Sequence, residues 1–524
     1  MALTRRALLE HIGRVGGAGA AYMAMETLGL AMPTPVGAET FQLPRQSGNG
    51  RSVVILGGGI SGLVSAYELQ QAGYHVTVLE ARDRIGGRVW TIRGGDRIVQ
   101  TGRPVQQATF DPGLYFNAGA ARIPSTHRVI LGYARRFGVP MEVFVNSNRN
   151  AKWDFGGKVY PERRLVNDLK GQIGELLSKA IDAHALDQEM PRDQLEHFQK
   201  FLATFAALDE KGKYRNPGDA GYAVEPGGYT QAPQPLEPLT LKELLPNRSI
   251  GLPYFFPDIW DMQATMMQPV GGMDRIAHAI YQQVKPNVRL NAPVSAIRRV
   301  GDRVRIEHGG QVTQADYCMC TLPVTALRRI PADFSAAKKT AMAEVVYGRP
   351  VKVAFESPRF WETDDNIFGG LAWTDRLNEN VIYPSAGIGS DKGALVAAYS
   401  LGWTRQDTPK AFEDLSHEER FRISRESVEA LHPGRSKLLT NGVTVAWGLT
   451  PYSEGVGANW RNGGGIGSEL KPRTGAYPEL LKREGPIVFA GEHLSYQGTW
   501  QEGAALSAYE ALKLIAAMAK ERVV

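Results

Sequence analysis

Six residues near the start of the chain, Gly57-Gly58-Gly59-Ile60-Ser61-Gly62, have the spacing of a loop that cradles phosphates. Glycine at 57 permits a tight turn, glycine at 59 lets the main chain approach a pyrophosphate, and glycine at 62 lets a helix pack closely on a strand. Ile60 and Ser61 stand where that helix opens, and its free N–H groups and positive end favour negative charge. About 20 residues on, the spacing such sites use, Glu80 is placed to accept from ribose hydroxyls. Ala81 and Arg82 follow it, and then Gly86-Gly87-Arg88.

The elements that must hold these residues are legible around them. Ser52 to Leu56 is a continuous β-branched run, read as a buried parallel strand. Leu63 to Leu69 has apolar residues at helical spacing, and His75 to Leu79 reads as a second strand. A lone GxGxxG is weak evidence; strand, glycines, helix, strand and terminal acid together specify a dinucleotide-binding unit, without separating NAD from FAD. At the far end, Ile487 to Ala490 reads as a short strand ending in Gly491-Glu492. Trp500-Gln501-Glu502-Gly503-Ala504 then opens a helix expected from about Gly503 to Lys520.

A chain of 524 residues exceeds what one core holds, so two or three domains are expected. The net charge of +6 is carried by scattered Lys and Arg, with no basic run interleaved with aromatics, which argues against nucleic-acid binding. The two cysteines, Cys318 and Cys320, are too close in sequence to bridge well and read as small core residues. Their number excludes a disulfide framework and a Cys-ligated zinc site, and no metal is expected. Thr4-Arg5-Arg6-Ala7-Leu8-Leu9 resembles a twin-arginine export signal. Val36-Gly37-Ala38 offers a cleavage site, and the apolar stretch between is broken by Arg14 and Glu26, which makes a poor membrane span. Residues 1–45 are therefore read as a signal region, and the protein as exported, periplasmic or secreted; an ordinary basic helix is the alternative.

Ala81-Arg82-Asp83-Arg84-Ile85-Gly86-Gly87-Arg88-Val89-Trp90 resembles the second phosphate- and flavin-contacting segment of the flavin-containing amine oxidases. The resemblance runs over roughly residues 50–520 and implies bound FAD. It implies that Gly491 and Glu492 contact the ribityl chain and pyrophosphate, that the helix after Trp500 and Gln501 aims its N-terminus at the ring, and that the Val294 backbone pairs with the adenine, though a plain sheet residue is as good a reading of Val294. Two halves of one site at opposite chain ends require a discontinuous Rossmann-like FAD domain, within an α/β fold. We expect it in segments 46–120, 263–340 and 481–524, with a mixed-sheet substrate domain in 121–160 and 341–480. A helical insert is expected in 161–262.

The segment Asn117-Ala118-Gly119-Ala120-Ala121-Arg122-Ile123-Pro124 resembles the L-amino acid oxidase branch. There the resemblance places Ala120, Ala121 and Arg122 beside the flavin, with the Arg122 guanidinium forked onto the substrate carboxylate. A planar, permanently charged fork suits that task. It further implies Tyr383 as a second carboxylate ligand, Trp447 and Trp500 as aromatic walls about the amine, and Lys352 as the holder of a water at the flavin. Thr499 stands where many relatives have glycine. With no cysteine near the segments that carry covalent flavin in some relatives, FAD should be non-covalent. The implied activity is oxidative deamination of L-amino acids, with a broad apolar and aromatic preference, by a dimer or larger homo-oligomer. The alternatives are an oxidase of mono- or polyamines, a monooxygenase giving an amide, and a flavin-binding protein without turnover.

Overall fold

A computed structural model describes residues 41–404, 406–460 and 473–521. The chain parts into a short N-terminal unit, 1–42, and a body, 43–524. The expected signal lies almost wholly outside the described residues.

The body is built on two sheets. The first is wholly parallel, with strands ordered 288–289, 75–79, 52–56, 317–320 and 487–489. Its central strand, Ser52–Leu56, is buried after its first residue, as its continuous apolar run requires. Cys318 and Cys320 are free thiols buried in the neighbouring strand. Helix Ile60–Gln71 rises directly from the first strand's loop and stops before Gly73, whose φ of +82° ends a helix readily. The C-terminal helix, Gln501–Glu521, starts two residues earlier than expected and packs against Ile60–Gln71.

The second sheet has seven strands, ordered 158–161, 152–155, 370–374, 380–383, 392–400, 351–358 and 440–446, antiparallel except where 370–374 meets 152–155. Between them in sequence lie helices Glu162–Asp182 and Arg192–Phe205 and the short Leu252–Asp258. The Pro/Gly-rich stretch from Tyr214 to Pro238 forms only two brief paired strands, 222–224 and 234–235. No described helix is long and apolar enough to cross a membrane.

Behind the second sheet runs a polar chain, buried at Tyr383 and His432 and half-buried at Asp365 and Lys152. Tyr383 Oη lies 2.7 Å from His432 Nε2, His432 Nδ1 lies 2.7 Å from Asp365, and Asp365 lies 2.6 Å from Lys152. With Nδ1–H donated to the carboxylate, Nε2 accepts the tyrosine proton. Burial pushes the His432 pKa below its ordinary value despite Asp365. Burial would raise Asp365, but His432 and Lys152 outweigh it and hold it low. Both shifts are downward, so the unfolded chain takes up protons first and stability drains away as pH falls. Thermal denaturation should show Tm falling from about pH 7 to about pH 5, where an ordinary histidine titrates. In His432→Gln that fall should be shallower; an unchanged slope would exclude this histidine as a source of acid sensitivity.

Candidate flavin and substrate site

One cavity of about 1300 Å³ runs from the glycine loop to the second sheet. It exceeds the roughly 300–1,000 Å³ of an ordinary small-ligand pocket, which leaves room for a dinucleotide and a second molecule.

The dinucleotide end is built from glycines with separate steric duties. Gly57 has φ +104°, and a Cβ at Gly62 would stand 2.0 Å from the Gly57 carbonyl oxygen, so helix and loop touch only because Gly62 lacks a side chain. A Cβ at Gly59 would meet no protein atom within 4 Å, so its backbone lies bare to the cavity. Gly59 also bridges to Gly86, bringing the two glycine segments together. Ile60 and Ser61 line the same wall. Glu80 Oε2 accepts from Gly58 N at 2.7 Å and Oε1 from Arg82 N at 3.0 Å, at the carboxyl end of its strand. Ala81, Arg82, Gly87, Arg88 and Val294 also line the cavity; Gly62 does not, being spent on packing.

Gly491 and Glu492 enter from the other end of the chain. Arg88 Nη1 lies 2.6 Å from Glu492 Oε1, and Glu492 Oε2 accepts from Thr499 N at 2.9 Å. Burial alone would raise the Glu492 pKa; Arg88, His493 and the Thr499 N–H together outweigh it and hold the pKa below its ordinary value. Thr499 holds φ +70°, a left-handed conformation unusual for a β-branched residue. Bare backbone at a helix N-terminus, a carboxylate at a strand end and two cavity-lining arginines fit an extended dinucleotide.

Ala120, Ala121 and Arg122 line the cavity from one side, and Lys352, Trp447, Trp500 and Gln501 from others. Arg122 is half-buried and lines the cavity, and its Nη2 reaches the Met262 sulfur at 3.4 Å. Its guanidinium sits 5.6 Å from the Phe256 ring centroid and 5.9 Å from that of Phe144. Burial pushes its pKa down, with Tyr399 and Asp261 opposing. Lys352 is buried, donates to Gly119 O at 2.7 Å and Asn117 O at 3.0 Å, and lies 4.6 Å from the Tyr399 ring centroid. Burial, and then the Arg122 charge, lower its pKa to about 7. Trp447 is buried and donates its indole N–H to Ala118 O at 2.9 Å.

Tyr383 is not among these residues, which corrects the sequence expectation. Its neighbour Ile382 lines the cavity, so the pleat turns Tyr383 to the opposite face, onto His432. Tyr399, on the adjoining strand, is the tyrosine that lines the cavity and acts on Arg122. Sequence reading also passed over Asp261, a cavity-lining carboxylate that accepts from the Trp500 indole N–H, and Trp403.

Residues 60–515 match the flavin containing amine oxidoreductase family. The chain belongs to that family. Its relatives include an L-amino-acid oxidase of Siganus canaliculatus, 28% identical over 88% of this chain and 84% of that protein. Another is the flavin-dependent L-tryptophan oxidase of Lentzea aerocolonigenes, 27% identical over 89% of this chain and 98% of that protein. The fold is shared with cyclohexylamine oxidase from Brevibacterium oxydans, at a TM-score of 0.60 and 16% identity over 90% of this chain and all of that one.

Three substitutions probe the site. Gly59→Ala should leave Tm unchanged, since its Cβ meets no protein atom, and should lower the flavin absorbance per mole of protein; full flavin content would show that a ligand backbone does not approach there. Tyr399→Phe should raise KM roughly 10- to 100-fold, the worth of one hydrogen bond to a charged group, whereas Tyr383→Phe should lower Tm and leave KM alone. The opposite pattern would restore Tyr383 to the site.

Proposed function

We propose that this family member oxidises the α-amino group of L-amino acids, with net conversion of amino acid, oxygen and water to 2-oxo acid, ammonia and hydrogen peroxide. Arg122 carries the reading. A guanidinium half-buried among Met262, Phe144 and Phe256, with no carboxylate in an ion pair with it among the described residues, is prepared for an anion that comes with the substrate. An amine lacking a carboxylate would bring no anion to that charge.

Bound non-covalently along the glycine loops, Glu80, Arg88 and Glu492, FAD would supply a hydride acceptor that oxygen can regenerate. The protein's own part is binding and orientation. Arg122 and Tyr399 hold the carboxylate, which fixes the direction of the Cα hydrogen and admits one enantiomer. Trp447 and Trp500 exclude water, which favours the neutral amine that can release hydride. Lys352, with its pKa near 7, supplies an adjustable positive charge. No side chain here is assigned as an essential base. The N-terminal signal extends the proposal to export by the twin-arginine route.

Arg122→Ala should lower kcat/KM for L-amino acids about 10²- to 10³-fold, as expected when one partner of a buried charge pair is removed, while flavin content stays intact. Peroxide formation from simple amines but not from L-amino acids would overturn the reading. An amide in place of the 2-oxo acid would assign a monooxygenase instead.

A further inference from the structure

The cavity has a wall that neither the flavin motifs nor the carboxylate anchor uses. It is formed by Leu401, Gly402 and Trp403, just beyond the strand that carries Tyr399. Trp403 is one aromatic ring away from the anchor: its ring centroid lies 5.5 Å from that of Phe256, and Phe256 lies 5.6 Å from the Arg122 guanidinium. In an α-amino acid the side chain branches one bond from the carboxylate. A wall at that remove from the guanidinium is therefore within reach of the side chain. Ile259, Trp260 and Met262 complete an apolar and aromatic surround, and the nearby Asp261 carboxylate is turned onto the Trp500 indole.

This loop is held by one buried carboxylate. Glu379 is fully buried and sits at φ +51° in the turn between strands 370–374 and 380–383. Its side chain accepts from Leu401 N, from Gly402 N at 2.6 Å, and from Thr404 N at 2.8 Å and Thr404 Oγ at 3.0 Å. The same turn receives the Tyr399 N–H on Asn378 O at 3.1 Å. Four donors converging on one carboxylate, from a residue in a sparsely populated conformation, fix the loop closely. Folding alone does not require such rigidity in a surface connection, but a selective wall does.

We propose that Trp403 is the residue that selects the substrate side chain, favouring apolar and aromatic L-amino acids, and that Glu379 is the positioning residue that holds it. The proposal rests on the L-amino acid reading above. Trp403 acts by burying the side chain's apolar surface against its ring; Glu379 touches no substrate and acts only through the loop.

The test is a side-chain series, L-alanine, L-leucine, L-methionine, L-phenylalanine and L-tryptophan, assayed by peroxide release with the flavin-loaded enzyme. Trp403→Ala should lower kcat/KM for L-leucine and L-methionine at least ~10-fold, the order of a pocket contact, and hold L-alanine within about 3-fold because its methyl group does not reach the wall. Glu379→Gln should move the leucine-to-alanine ratio in the same direction. Thr404→Val, which deletes one donor and spares the carboxylate, should move it less, and it serves if Glu379→Gln does not fold. A uniform fall across the series, or an unchanged ratio in Trp403→Ala, overturns the proposal while the L-amino acid reading stands. Turnover only of amines without a carboxylate by the wild-type enzyme overturns both.

Discussion

The structure depends on one ion pair, between Arg88 and Glu492 at 2.6 Å. Arg88 follows the second glycine segment; Glu492 follows the last strand of the parallel sheet. The two residues stand 404 positions apart, and both line the cavity. Losing one partner of such a pair leaves an uncompensated buried charge, at a cost of roughly 3–5 kcal/mol. The same carboxylate accepts the Thr499 N–H, immediately before Trp500. One anion thus closes the cofactor end and sets the backbone that carries an aromatic wall of the substrate end.

A second tie does the same for the carboxylate anchor. Glu502 accepts from Val129 N and Ile130 N, both at 2.9 Å, capping the helix that follows the Arg122 segment. His127, just before that helix, sets its ring edge-on to Trp500 at 5.0 Å. The C-terminal helix therefore reaches both the flavin side and the substrate side. Its neighbours, rather than its own sequence, decide where Trp500 stands.

Much of this was legible in the sequence, and for a physical reason. The glycine loop, Glu80 and the Gly491-Glu492 pair are local: their roles follow from backbone conformation and from strand ends, which sequence pattern specifies. Arg122 was legible because its whole segment carries a signature. Tyr383 was misread because a strand alternates faces with a period of two, and a one-residue difference moves a side chain from the cavity to the far side of the sheet. Ile382 beside it, and Tyr399 on the paired strand, show where the cavity face runs. Asp261 and Trp403 gave no local signal. They reach the cavity only because the insert and the strand-end loop fold back onto the anchor.

The parallel sheet also governs when the protein can be finished. Its edge strand, Ile487–Phe489, pairs with residues 318–320, and Gly491 and Glu492 join the cavity only after that strand docks. A chain whose strands 52–56 and 75–79 have paired, but whose strand 487–489 has not docked, still lacks the closing half of its cofactor site. Flavin capture thus reports a long-range assembly step: the site is whole only once Arg88 and Glu492, 404 positions apart in sequence, have met.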